Sequence, residues 1–166
     1  MQIDAVGITL RSADKAVIEQ IPLTADPAVV IGSLTRALGG APTVSQVEAN
    51  FCSASYTTEN WGGLAIHHGG LPLPEGLRFA VTSTETKTST GARVETPQGY
   101  AVGDSSAALI SAIPGVEVDM WGDATQGETG VWYDLRVDDY GAFARAAFGK
   151  GTIQSLNSPS FHNGDC

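Results

Sequence analysis

Three histidines and a spread of carboxylates are the side chains here whose types could do chemistry. His67 and His68 are adjacent, and His162 lies close to the end of the sequence. Imidazoles are zinc ligands, but zinc sites use closer, patterned spacing. Neighbouring side chains on a strand point to opposite faces, so His67 and His68 are not expected to reach one ion. Asp119, Asp123, Glu128, Asp134, Asp138 and Asp139 are candidate calcium ligands. None of their stretches alternates ligands around a fixed glycine, as calcium loops do. No metal site and no cofactor is predicted. Carboxylates for paired acid–base hydrolysis are plentiful, yet nothing selects a pair. The chain has no Gly-x-Ser-x-Gly, and neither Cys52 nor Cys166 has a catalytic context. Gly39-Gly40, Gly62-Gly63 and Gly69-Gly70 lack the spacing and the following lysine of phosphate loops. No catalytic residue emerges. The surviving enzyme reading is a small hydrolase or metal-dependent enzyme working through acidic groups or His67.

Composition narrows the partners. Nine Lys and Arg against eighteen Asp and Glu leave a net charge of −9. Such a chain repels phosphate backbones and anionic membrane surfaces, so both are disfavoured and no nucleic-acid partner is expected; the bland reading of the charge is solubility. No apolar run approaches the ~20 residues of a spanning helix. Cys52 and Cys166 allow one intramolecular bridge, closing a loop long enough to contribute about 4–5 kcal/mol in chain-entropy models. A bridge would tie down the last residue and points to an oxidising compartment; the alternative is two unrelated thiols in a reducing cytosol. Met1-Gln2-Ile3-Asp4 runs straight into an alternating pattern with no leader visible, so the chain is either cytosolic or exported with its leader removed. Few lysines, many Gly, Ala and Thr, and an acidic surface fit export, the expected reading.

The elements that must position these residues follow from periodicity. Val6, Ile8 and Leu10 alternate, predicting a strand over 4–11, with a second over 16–22 as a hairpin. Asp26-Pro27 opens a helix, Val30, Ile31, Leu34 and Leu38 form its apolar stripe, and Gly39-Gly40 closes it. Strands are predicted over 43–48, around Trp61, and at Leu77, Phe79 and Val81. Asp104-Ser105-Ser106 caps a two-turn helix, followed by strands at Val116, Val118, Met120 and at Val131, Tyr133, Leu135, Val137. Residues 140–148 read as a short extra helix, and 151–158 as a last strand.

Two of these strands look alike. With a shift of 71 (132 − 61), Trp61 falls on Trp132, Leu64 on Leu135 and Ile66 on Val137. Each half then reads as strand material, one capped helix and three strands. The expected fold is α+β: two tandem helix-plus-antiparallel-strand repeats, 1–90 and 91–166, with the helices packed on one face of the sheet. Parity sets the other face. If Val131, Tyr133 and Leu135 face the helices, Trp132, Asp134 and Arg136 do not. Trp121 lies opposite Val118 and Met120, and Trp61, Ala65 and His67 lie opposite Leu64 and Ile66. A helix-free face carrying Trp61, Trp121, Trp132, His67 and Arg136 is the expected binding surface; the alternative is that the tryptophans stack on each other or under a loop such as 71–74. Gly62-Gly63 is the point where a bulge would reset the parity of Trp61.

Several stretches together resemble exported actinobacterial proteins, often lipoproteins, of uncharacterised function. They are Val6-Gly7-Ile8-Thr9-Leu10, Leu34-Thr35-Arg36-Ala37-Leu38-Gly39-Gly40-Ala41-Pro42, Tyr56 with Trp61-Gly62-Gly63-Leu64, Thr96-Pro97-Gln98-Gly99-Tyr100-Ala101-Val102-Gly103-Asp104-Ser105, and the end from Gly151-Thr152-Ile153 to Cys166. The resemblance implies an export leader and a possible lipid anchor in the precursor. The order Gly-Asp-Ser, short helix, three strands is also similar to the tandem fold of secreted β-lactamase inhibitor proteins and to the single unit of BamE-type lipoproteins. That resemblance implies a helix layer behind a curved sheet whose free face grips a protein. The inhibitors hold a disulfide in each repeat, which two cysteines cannot supply. The resulting expectation is a non-enzymatic extracellular or cell-envelope protein that binds a protein or ligand through the helix-free sheet face.

Overall fold

Asp4 breaks the first predicted strand in two. Its Oδ1 accepts from the backbone N–H of Val6 at 2.9 Å and of Gly7 at 3.0 Å, turning the chain at residues 5–6. In the computed structural model, which describes residues 1–50, 53–121, 128–135, 140–147 and 151–161, this leaves β1 (Gln2–Asp4) and β2 (Gly7–Arg11). They pair antiparallel with each other, and β2 pairs with β3 (Val17–Pro22), giving a three-stranded sheet in the order β1-β2-β3.

The helix α1 (Pro27–Leu38) follows the sequence rule closely. Asp26 caps it through Oδ1 to the Ala28 N–H at 3.0 Å, Pro27 needs no donor partner at the first position, and the Gly39 N–H returns to the Thr35 carbonyl at 3.0 Å. Four strands then form a meander: β4 (Thr43–Val47), β5 (Tyr56–Asn60), β6 (Leu64–His68) and β7 (Phe79–Ser83). After α2 (Ser106–Ala112), capped by Ser105, come β8 (Glu117–Trp121), β9 (Glu128–Leu135), β10 (Tyr140–Ala147) and β11 (Ile153–Phe161). All eight join one antiparallel sheet in the order β4-β5-β6-β7-β11-β10-β9-β8.

The chain is therefore mostly β, and the predicted α+β fold of two tandem repeats with helices packed on one sheet face is overturned. The described residues make an eight-stranded sheet, a three-stranded sheet and two helices. The predicted helix at 140–148 is the strand β10 over its described part. Its alanines have high helix propensity, but β9 and β11 hydrogen-bond it from both sides, and that tertiary pairing overrides a local preference. The superposition of Trp61 on Trp132 also fails. Trp61 sits at the end of a hairpin between β5 and β6, whereas Trp132 lies within β9.

Register shows which face is buried. Leu64, Ser83, Leu156, Ala144 and Val131 are direct neighbours from strand to strand, so they share one face. Two apolar clusters lie on that face. One joins Ile8, Leu10 and Ile21 of the small sheet and Val30, Leu34 and Leu38 of α1 to Leu64, Ile66, Phe79 and Val81. The other joins Leu109 of α2 to Val131, Tyr133, Ala142, Ala144 and Leu156. The Asp134 carboxylate (Oδ2) accepts from the Ala5 N–H at 2.9 Å, and Ser158 Oγ donates to the Asp4 carbonyl at 2.8 Å, so polar contacts add to the seam between the sheets. Among the described residues the buried Tyr133 hydroxyl has no hydrogen-bond partner, and burial above all, then Asp4 and Asp134, pushes its pKa well above the usual phenol range.

Candidate functional site

The face away from both clusters is read from the next register row. Thr43, Asn60, Ala65, Thr82, Asn157, Phe143, Trp132 and Glu117 run across all eight strands. A second row holds Ser45, Thr58, His67 and Ala80. Short polar and small side chains dominate both rows.

The β5–β6 hairpin supplies the most chemically capable part of this face. Gly62 and Gly63 have φ of 69° and 84°, the conformation of a two-residue type I′ turn, which glycine adopts without a Cβ penalty. The Trp61 N–H closes the turn on the Leu64 carbonyl at 2.9 Å, and Asn60 Oδ1 accepts from the Gly62 N–H at 2.6 Å. That turn sets Thr58 opposite His67. Thr58 Oγ1 lies 3.0 Å from His67 Nδ1, and the Tyr56 ring meets His67 edge-on with centroids 5.9 Å apart at 82°. All three side chains are half-buried. A hydroxyl within reach of an imidazole has nucleophile–base geometry. Among the described residues, however, no carboxylate hydrogen-bonds the ring's other nitrogen to orient it.

Burial, and secondarily the charge of His68, holds the His67 pKa below its ordinary 6.5. The neutral ring is thus favoured in the folded chain. The unfolded chain binds more protons over the window from the lowered value up to about 6.5, so stability is complete above that window and falls as pH drops through it. Urea midpoints compared between pH 7.5 and pH 5 are expected to fall in the wild type and to fall less in His67→Gln. Equal slopes in the two proteins would refute the assignment.

His68 points the other way, as strand parity requires. Its Nε2 is 3.8 Å from Glu59 Oε1, and among the described residues both this buried nitrogen and the buried Glu59 Oε2 lack a hydrogen bond. His68 also lines a cavity of ≈ 470 Å³ with Pro27, Leu71, Leu73, Leu77 and Arg78, whose guanidinium is 3.2 Å from the Asp26 carboxylate. Sequence reasoning missed the Glu59–His68 and Thr58–His67 pairs. The available signal was the threonine-rich 56–60 before Gly62-Gly63, a hairpin pattern that places each pair across two strands.

The predicted site residues fare differently. Trp61 is 2% exposed and belongs to the first core cluster, and its Nε1 donates to the Gly40 carbonyl at 2.9 Å. The turn reverses the chain, so Trp61 faces Leu64 across the hairpin and shares its buried face, correcting its placement on the binding surface. Trp132 is on the helix-free face as parity predicted, but it is 3% exposed and packs against Phe143 with centroids 4.7 Å apart. It therefore offers no open indole surface. Trp121 ends β8, and its side chain lies outside the described residues, as do Arg136, Cys52, Cys166 and His162. His67 is the predicted binding residue that lies half-buried on the helix-free face. No group of three or more potential metal ligands occurs among the described residues. No described helix is long and apolar enough to cross a membrane. Comparison with protein-family models, curated proteins and solved structures finds no match.

Proposed function

We propose that this is a non-enzymatic binding protein of the cell envelope or extracellular space, which holds a protein partner on the helix-free sheet face at Tyr56, Thr58 and His67. The observation that carries this reading is the one-sidedness of the core. Both apolar clusters lie on one face; the other, beside the buried Trp132–Phe143 pair, presents an aromatic ring, an imidazole, hydroxyls and amides on paired strands. Tyr and His combine apolar body with a polar tip, the combination suited to interfaces. The net charge of −9 favours a neutral or basic partner. Export rests on the sequence alone, through the resemblance to exported proteins.

A photocrosslinking amino acid placed at Tyr56 or Thr82 and expressed in the native cell tests the site. Discrete adducts with one protein are expected from both positions. The same amino acid at Val29, which is exposed on α1, should give none. Equal adducts at Val29, or none at Tyr56 and Thr82, would sink the reading. The 3.0 Å contact between Thr58 and His67 favours hydrolysis as the second reading. Ester turnover by the wild type that is lost in both Thr58→Val and His67→Gln would establish it instead.

A further inference from the structure

We propose that β4 is a self-pairing edge, through which two copies of this chain join antiparallel about a two-fold axis at Ser45. Among the described residues the two sheets have four outer strands: β1, β3, β4 and β8. Natural edges are protected by charge, proline, bulges or shortness. β1 has three residues, and its Gln2 already bridges to Glu95. β3 carries Glu19 and ends at Pro22, and its ladder to β2 has an irregularity at Leu10–Arg11. β8 carries Glu117 and Asp119. β4 is different: Thr43-Val44-Ser45-Gln46-Val47 has no charge and no proline, and pairs with β5 in five regular steps. Its first four residues are exposed, Val44 by 62%.

The free edge of such a strand presents a row of backbone donors and acceptors to another strand. A second copy suits it for two reasons. In a chain of net charge −9, copies repel one another over most of their surface, and β4 is an edge where no carboxylate would oppose another. The strand is also compatible with its own reverse. Centred on Ser45, Thr43 meets the other copy's residue 47, Val44 meets 46, and Ser45 meets itself, so all five residues pair. Pro42, which has no N–H, bounds the ladder at its start. Side chains keep their faces in this arrangement, so the helix-free faces of the two copies become one.

Five residue pairs make a small interface, so the dimer is expected to be weak and concentration-dependent, observable by sedimentation from roughly 10 µM to 1 mM. Ser45 is exposed, so replacing it leaves the core intact. Ser45→Lys alone and Ser45→Glu alone each set like charges face to face, and should weaken dimerisation about fivefold. An equimolar mixture of the two should restore it, because lysine then meets glutamate. Circular dichroism confirms that each variant is folded. A wild type that stays monomeric overturns the proposal. So does a dimer that ignores both substitutions, as expected if another surface or a foreign strand is the true contact. Weakening by both without rescue in the mixture overturns the two-fold at Ser45.

Discussion

Trp61→Ala lowers the unfolding free energy by about 3–5 kcal/mol, the range for deleting a buried aromatic side chain. The indole is 2% exposed and packs in the cluster formed by the small sheet, α1, β6 and β7. It also ties the β5–β6 hairpin to the chain just beyond α1, through the 2.9 Å bond from Nε1 to the Gly40 carbonyl. The alanine variant loses both the apolar volume and this donor. Trp61→Phe retains most of the volume and leaves the Gly40 carbonyl unsatisfied, and should cost about 1–3 kcal/mol. Urea denaturation at neutral pH measures both. A loss below 1 kcal/mol for the alanine variant would mean that Trp61 is not a core residue, and would return it to the binding surface.

Gly7→Ala should be destabilising by about 3 kcal/mol for a different reason. A Cβ on Gly7 would lie 2.0 Å from the Ile21 carbonyl oxygen and 3.0 Å from the Pro22 Cα, both backbone atoms. Backbone cannot swing aside as a side chain does, so the β2–β3 ladder must part where Gly7 pairs with Pro22. The φ of 153° adds conformational cost for any residue with a Cβ. Damage is expected to spread to the Leu23 N–H bond to the Val6 carbonyl, 2.9 Å in the native fold. Val6→Ala, one residue earlier and 51% exposed, should stay within about 0.5 kcal/mol. Amide exchange in β2 and β3 should accelerate in the first variant only. Unchanged protection there would show that the small sheet does not need this close approach.

Both predictions concern residues that the sequence marked for other reasons. Trp61 stood out as a repeat marker and a binding aromatic, and Gly7 as part of an alternating strand. Neither the face of Trp61 nor the crowding at Gly7 is a local property. The face of Trp61 depends on where the chain reverses. Counting straight through Gly62-Gly63 puts Trp61 opposite Leu64 and Ile66, whereas a type I′ turn there makes Trp61 and Leu64 cross-strand neighbours on one face. The crowding at Gly7 depends on β3, which returns from fourteen residues further on to pair Ile21 and Pro22 against β2 (21 − 7).

What the sequence by itself determined about this protein is local. The limits of α1 follow from Asp26, Pro27 and Gly39, the start of α2 from Ser105, and the opposed directions of His67 and His68 from strand parity. Each rests on capping or alternation within a few residues. The tertiary structure alone decided that the alanine-rich β10 is a strand, that eight strands form one sheet with β7 beside β11, and that one face takes both cores. It also decided that Trp61 and Trp132 are buried, so that Tyr56, Thr58 and His67 stand where an exposed tryptophan face was expected. The physical reason is that strand pairing is non-local. A strand's backbone groups find partners on other strands, so its place in the sheet and its buried side are set by neighbours that local sequence does not specify.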